Sequence, residues 1–214
     1  MSELNIQRGY AVKGRKGLDH WHPLLEEWLL CIERYCRVAA WQDAPFIYTE
    51  RANIGVLAGA AWRSGRTALE EFQCGKGAGR EEKWKGRADL YLSCDNHEDM
   101  IEAKFEWLSL ISAKHTKTQV EAVLQAAVSD ARNTQDGDEE LKCHGVAFLP
   151  VWQKQSEKRK ADVDERIRMV VSGLMKSNAH AVAWCFPERY RSVVNDAGNI
   201  TPGVIMAISN IAYV

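Results

Sequence analysis

The stretch from Gly86 to Trp107 limits the fold more than any other part of the chain. Its two apolar segments, Gly-Arg-Ala-Asp-Leu-Tyr-Leu and Ile-Glu-Ala-Lys-Phe-Glu-Trp, alternate with the two-residue period of β-strands. In the first, Ala88, Leu90 and Leu92 form an apolar face and leave Arg87, Asp89 and Tyr91 on the other. In the second, Ile101, Ala103, Phe105 and Trp107 are apolar, and Glu102, Lys104 and Glu106 share the opposite face. The seven residues between, Ser93 to Asp99, are polar and rich in turn formers, so the spacing predicts an antiparallel hairpin with a longer loop. Such pairing brings Asp89 and Glu102 towards each other on one face. Lys104 lies roughly 7 Å along from Glu102, two residues at about 3.3 Å each. Two carboxylates and an ammonium converging there have the makings of a divalent-metal site.

The surrounding pattern alternates helices and strands. After Asp19, a plausible N-cap, and Pro23, apolar residues recur at helical spacing from Leu24 to Cys36, predicting an amphipathic helix to about Ala40. A second helix is expected from about Tyr48, capped by Thr49, with Glu50 near its start and Ile54, Leu57, Ala58 and Ala61 on its apolar side. Thr67 to Cys74 reads as a strand. Thr116 or Thr118 would cap a helix running to about Arg132, and His144 to Trp152 is an apolar run suited to a buried strand. Ser156 to Ser177 reads as a helix, and His180–Phe186 and Gly203–Ile211 as two more strands, with Asn133 to Lys142 a surface loop. This order implies an α/β fold with a mixed central sheet flanked by helices. At 214 residues the chain is read as a single domain, residues 1–45 a helical N-terminal extension and 46–214 the α/β core.

Asp89, followed after a short hairpin by Glu102-Ala103-Lys104, resembles the PD-(D/E)XK nuclease superfamily. The resemblance spans roughly Thr49 to Asn133, and Ala88 stands where the motif often carries proline. It implies a restriction-endonuclease-like core and metal-dependent hydrolysis of nucleic acid, with DNA the leading substrate and a 5′ phosphate left behind. Asp89, Glu102, the Ala103 backbone carbonyl and Glu50 would hold Mg²⁺, or Mn²⁺ in its place. Lys104 would complete the catalytic set. In that family the following helix directs polar side chains back to the site, which points to Gln119 and Lys117.

The glycine-rich stretch Gly75 to Gly86 lacks the Lys-Ser/Thr and following helix of a phosphate-binding P-loop. A basic flap fits it better: Lys76, Arg80, Lys83 and Lys85 would meet phosphates, and Trp84 could stack on a base. A net charge of -1 gives no global positive field, so any nucleic-acid surface must be local. The first eighteen residues, with Arg8, Lys13, Arg15, Lys16 and three glycines, read as a loose arm. Six cysteines without CxxC spacing read as reduced thiols, and neither Cys94 with His97 nor Cys143 with His144 supplies the closely spaced pairs of a zinc site. With no apolar leader and no membrane-length apolar run, the expected location is the cytoplasm. The rival is a non-catalytic module that binds nucleic acid or a protein partner. The N-terminal helices, with Trp21, Trp28 and Trp41, could serve as its interface or as that of a homodimer.

Overall fold

The computed structural model describes residues 5–77, 84–110, 112–134, 141–155, 160–191 and 193–213. Among these, eight strands form one mixed sheet with four α-helices against its faces. The central strand β6 (Leu141–Lys154) runs parallel to β4 (His97–Phe105) and antiparallel to β8 (Asn199–Asn210). Beyond β4 lie β3 (Trp84–Cys94) and then β2 (Thr67–Lys76), both antiparallel steps. Beyond β8 lie β7 (Ala181–Cys185) and the edge strand β1 (Arg8–Val12), again antiparallel. A short β5 (Leu108–Ser109) pairs with β6 past the end of β4. A parallel pair needs a long crossover, and α3 (Ala113–Thr134) provides it between β4 and β6.

Helices α1 (His22–Val38) and α2 (Glu50–Arg63) pack on one face, and α3 and α4 (Lys160–Met175) on the other. On α1 the residues recurring every three or four positions, Leu24, Leu25, Trp28, Leu29, Ile32 and Cys36, are all buried. Each large side chain of that stripe contributes about 1.5–3 kcal/mol of burial. β6 is apolar on both sides: Val146 and Phe148 enter the α1–α2 core, and Ala147 and Leu149 the α3–α4 core. A strand covered on both faces therefore reads as a continuous apolar run.

Several expectations are corrected. Residues 8–12 are not part of a loose arm: they form β1, because the edge of β7 offers unpaired backbone groups that this segment completes. The N-terminal helices share one core with the sheet, and Trp21 and Trp28 are fully buried in it, so neither is free to meet a partner. Asp19 makes no capping bond. It opens a single 3₁₀ turn to Trp21, after which α1 starts. Thr49 does cap α2, accepting the Ala52 N–H at 3.3 Å. α3 starts earlier than expected, with the Ser112 hydroxyl accepting the His115 N–H at 3.2 Å. The hairpin loop is not seven residues. Cys94 pairs with His97 across a two-residue Asp95–Asn96 turn, and Asp95 adopts the left-handed conformation (φ 45°) that such tight turns demand. Asp99 is thereby drawn into the sheet. Among the described residues no helix is long and apolar enough to cross a membrane.

Candidate active site

The β3–β4 ladder ends at Leu90 and Ile101, and Asp89 and Glu102 are the next residues on the two strands. The strand is irregular there. β2 and β3 pair at Glu70 with Leu90 and at Phe72 with Ala88, and Glu71, between them, has φ 53°. That left-handed conformation is unusual for a residue with a side chain and is sustained by the paired strands around it. Across this kink the strand changes face. Leu90 and Leu92 belong to the α1–α2 core, whereas Ala88 joins Phe72 in the α3–α4 core, so the three do not share one apolar face as the alternation suggested. The Asp89 carboxylate accepts the Ala103 N–H at 2.7 Å, taking the place of a ladder partner. In an extended strand a residue's N–H and C=O point to the same edge, so the Ala103 carbonyl also faces β3.

Glu102 points to the α3 side and is buried, with 4% of its surface exposed. Its Oε1 accepts the Thr134 hydroxyl at 2.5 Å and the Lys76 Nζ at 2.9 Å. The Lys76 stem crosses β3 at Gly86, where a Cβ would come within 2.6–2.9 Å of it. Two residues along β4, the half-exposed Lys104 forms an ion pair with Asp130. Asp130 and Thr134 are one turn apart on α3. That helix sits directly on β6 at Gly145, where a Cβ would lie 2.6 Å from the Val128 nitrogen. From the other layer, Glu50 in the first turn of α2 comes near the Phe105 backbone and feels the charges of Asp89, Lys104 and Asp130.

Burial pushes the carboxyl pKa values of Glu50, Asp89 and Glu102 above their ordinary range, and the charge of Asp89 pushes Glu50 and Glu102 higher still. Partial burial alone would lower Lys104, but Asp130, Glu50 and Asp89 outweigh it and hold the ammonium above the usual lysine value. Three desolvated carboxylates that disfavour ionisation together are the electrostatic condition a cation relieves. Among the described residues no three His, Cys, Asp or Glu side chains converge as a metal-holding group. Two carboxylates with a backbone carbonyl remain a hard-oxygen set of the kind Mg²⁺ takes alongside water. Asp89 opens onto a groove of about 970 Å³ lined by Glu71, Lys85, Gly86 and Arg87, and onto a small pocket shared with Glu50.

The proposed flap is only partly described. Trp84 and Lys85 are exposed at the start of β3, and Arg80 and Lys83 lie outside the described residues. Lys76 is a correction: it ends β2 and turns inward to Glu102 instead of outward to phosphate. Neither of the two α3 candidates reaches the site. Gln119 donates to the Trp107 carbonyl at 2.9 Å, and Lys117 pairs with Glu121. The residues that do reach it are Asp130 and Thr134, and their four-residue spacing beside Ala127 and Ala131 is the sequence signal that marks them.

A second polar cluster, which the sequence reading does not predict, surrounds Asp99. Asp99, fully buried, accepts from His144 at 2.7 Å and His20 at 2.8 Å, with Arg66 at 3.8 Å. Arg66 donates to the His20 carbonyl, and His97 stacks on His20 with ring centroids 4.1 Å apart. Burial alone would raise the Asp99 carboxyl. The charge and hydrogen bond of His144, followed by those of His20, outweigh it and hold the group well below the usual carboxylate range. The available signal was Asp99 in step with the apolar Ile101 and Ala103. With fold and site described, no family model, curated protein or solved structure matches the chain.

Proposed function

We propose that this chain is a metal-dependent nuclease of the PD-(D/E)XK type, with a restriction-endonuclease-like core, hydrolysing phosphodiester bonds in nucleic acid, DNA before RNA. The observation that carries the reading is the Asp89 carboxylate bound to the Ala103 N–H, between Glu102 and Lys104 on one strand. Asp89, Glu102 and the Ala103 carbonyl would hold Mg²⁺ or Mn²⁺, with Glu50 on its far side. The bound ion would supply Lewis-acid polarisation of the scissile phosphate and acidify water. Lys104, aligned by Asp130, orients the attacking water and neutralises charge developing on phosphate oxygens. The Ala103 N–H and Thr134 hydroxyl fix the two carboxylates, which lowers the reorganisation needed during reaction. Lys85, which lines the groove, would touch the nucleic-acid strand, with the exposed Trp84 next to it in sequence.

One observation favours a second reading. Lys76 already neutralises Glu102, as in a degenerate nuclease fold that binds nucleic acid or protein without cutting. The two readings separate in a cleavage assay with linear, circular and single-stranded DNA and with RNA, in Mg²⁺ and in Mn²⁺. For the enzyme, Lys104→Ala reduces cleavage by roughly 10²–10³-fold, while metal and nucleic acid still bind. Glu102→Ala abolishes both cleavage and metal binding. Wild-type protein that binds nucleic acid yet cuts nothing in either metal overturns the nuclease reading in favour of the second.

A further inference from the structure

On the other side of α3 from Asp130 lies a half-open pocket of about 440 Å³, in which Lys13, Lys16, His180, Ser209 and Tyr213 meet helix residues Glu121 and Gln125. Its volume falls within the roughly 300–1,000 Å³ of small-molecule sites. Both lysines come from the segment that follows β1, and pairing of β1 with β7 is what brings that segment over the sheet end. The Lys13 ammonium is anchored on the Ser177 carbonyl at 2.7 Å, and that of Lys16 lies 5.6 Å from the Tyr213 ring centroid. Glu121, whose charge acts on Lys13, offsets only one of the cations gathered here. Its carboxylate is already taken by the Asn178 N–H at 3.1 Å and by Lys117 at 3.9 Å. Lys13, Lys16 and Lys117 against Glu121 leave two positive charges in excess at this wall.

His180 adds a directed donor. The Asn210 N–H donates to its Nδ1 at 3.1 Å, so the neutral ring must carry its proton on Nε2. We infer that this pocket binds a phosphate oxyanion, with Lys13 and Lys16 supplying charge and the His180 Nε2–H a hydrogen bond. The site is separate from the proposed nuclease centre and does not depend on it. Burial, reinforced by Lys16, Lys13 and His144, pushes the His180 pKa down to about 4. Burial followed by the Lys16 charge likewise lowers Lys13. Both groups are charged more easily once an anion sits among them, so binding takes up protons and raises the His180 midpoint.

The test is calorimetry and a histidine-resolved NMR titration of the whole chain in EDTA, which removes any metal effect. The probes are inorganic phosphate, adenosine monophosphate, and an oligonucleotide without a terminal phosphate. Phosphate is expected to bind and to move the His180 midpoint above about 4. Lys16→Gln is expected to weaken binding about tenfold or more. Lys13→Gln should act in the same direction, and thermal melts establish that each variant is folded. Binding of the mononucleotide but not the oligonucleotide identifies a free phosphomonoester as the ligand. Oligonucleotide binding that inorganic phosphate competes away identifies backbone phosphate. The inference is overturned if none of the probes shifts His180, if chloride does so equally well, or if the folded Lys16→Gln and Lys13→Gln proteins bind as the wild type does.

Discussion

Gly145→Ala tests whether the close seating of α3 on β6 holds the candidate site together. The new Cβ would lie 2.6 Å from the Val128 nitrogen and 2.9 Å from the Ala127 carbonyl carbon and the Val128 Cα. All three are backbone atoms inside a helix, so no side-chain rotation can relieve the clash. Restoring an ordinary 3.4 Å contact to the nearest of them requires 3.4 − 2.6, or about 0.8 Å, of withdrawal by α3. Val120, Leu124, Val128 and Ala131 of that helix lie in the same core and would loosen with it. Overpacking of this kind costs about 1–3 kcal/mol, and the backbone character of the clash argues for the upper half of that range. At about 2–4 °C per kcal/mol for a chain of this size, the melting temperature should fall by about 4–12 °C.

The same withdrawal acts at a distance. Asp130 and Thr134 ride on α3, so the 2.5 Å bond from Thr134 to Glu102 would lengthen and the Lys104 ammonium would lose its anchor. Misplacement of catalytic groups by about 1 Å can cost about 10²-fold in rate, so any cleavage activity should drop further than the stability loss explains. Melting followed by circular dichroism, alongside a urea titration, measures the first effect. Gly14→Ala, where a Cβ meets nothing within 4 Å, is the matched control. A Gly145→Ala protein that melts within about 1 °C of wild type would refute the close-packing argument.

Three further perturbations follow from the electrostatics. Lys76→Met removes the ammonium from Glu102 and should cost about 1–3 kcal/mol without metal, while Mg²⁺ raises the variant's melting temperature more than it raises the wild type's. If Mg²⁺ fails to restore the loss, the Lys76–Glu102 pair is structural. Asp89→Asn keeps an oxygen for the Ala103 N–H and removes a charge that repels Glu50 and Glu102. Because the folded Asp89 value is raised, its contribution is most favourable below the ordinary 3.8 and fades as pH rises through the folded value. Metal-free Asp89→Asn should therefore out-melt the wild type at neutral pH and lose the response to Mg²⁺, and equal melting across pH 4–8 would contradict this. Asp99 has the opposite sign. Its folded value is depressed, so its contribution is full above the unfolded value of about 3.9 and is lost as pH falls through the folded one. Asp99→Asn should cost about 3–5 kcal/mol at neutral pH and flatten the acid limb of the stability curve; an unchanged acid limb would count against the cluster.

The readable parts of this chain were those governed by local periodicity. The α1 stripe from Leu24 to Cys36, the Thr49 cap and the continuous apolar run of β6 follow from spacing alone, and the mixed sheet follows from their order. The alternation around Glu102 also put that carboxylate and Lys104 on one face of β4, where both meet α3. What stayed hidden depends on contacts distant in sequence. Nothing near Lys76 announces that it folds back to Glu102, because its route depends on the missing Cβ of Gly86 on the neighbouring strand. The face change at Asp89 comes from Glu71 on β2, whose backbone conformation no alternation pattern carries. Asp99 escaped because five polar residues around a two-residue turn look like a loop. β1 escaped because five residues make a strand only when β7 stands beside them.

The two polar faces of β4 show how the carboxylates on one strand divide between structure and chemistry. On one side Asp99 has two imidazoles on its oxygens and a guanidinium near them, and its pKa is driven down despite complete burial. Its partners already hold both oxygens, so the group fastens the turn before α1 and β6 to the hairpin. Towards α3 Glu102, and at the strand end Asp89 with Glu50 reaching in from α2, are desolvated with less compensation, and all three are driven up. Such an arrangement costs folding energy that a purely structural site would avoid by replacing one acid with an apolar residue. The direction of the shift separates the groups: a depressed carboxylate has found its partner within the protein, and under the proposed function the set raised together is what a bound cation would relieve. Lys76 and Lys104 only partly fill that deficit, which is why charge at Glu102 and Asp89, more than the fold around them, is the quantity to perturb first.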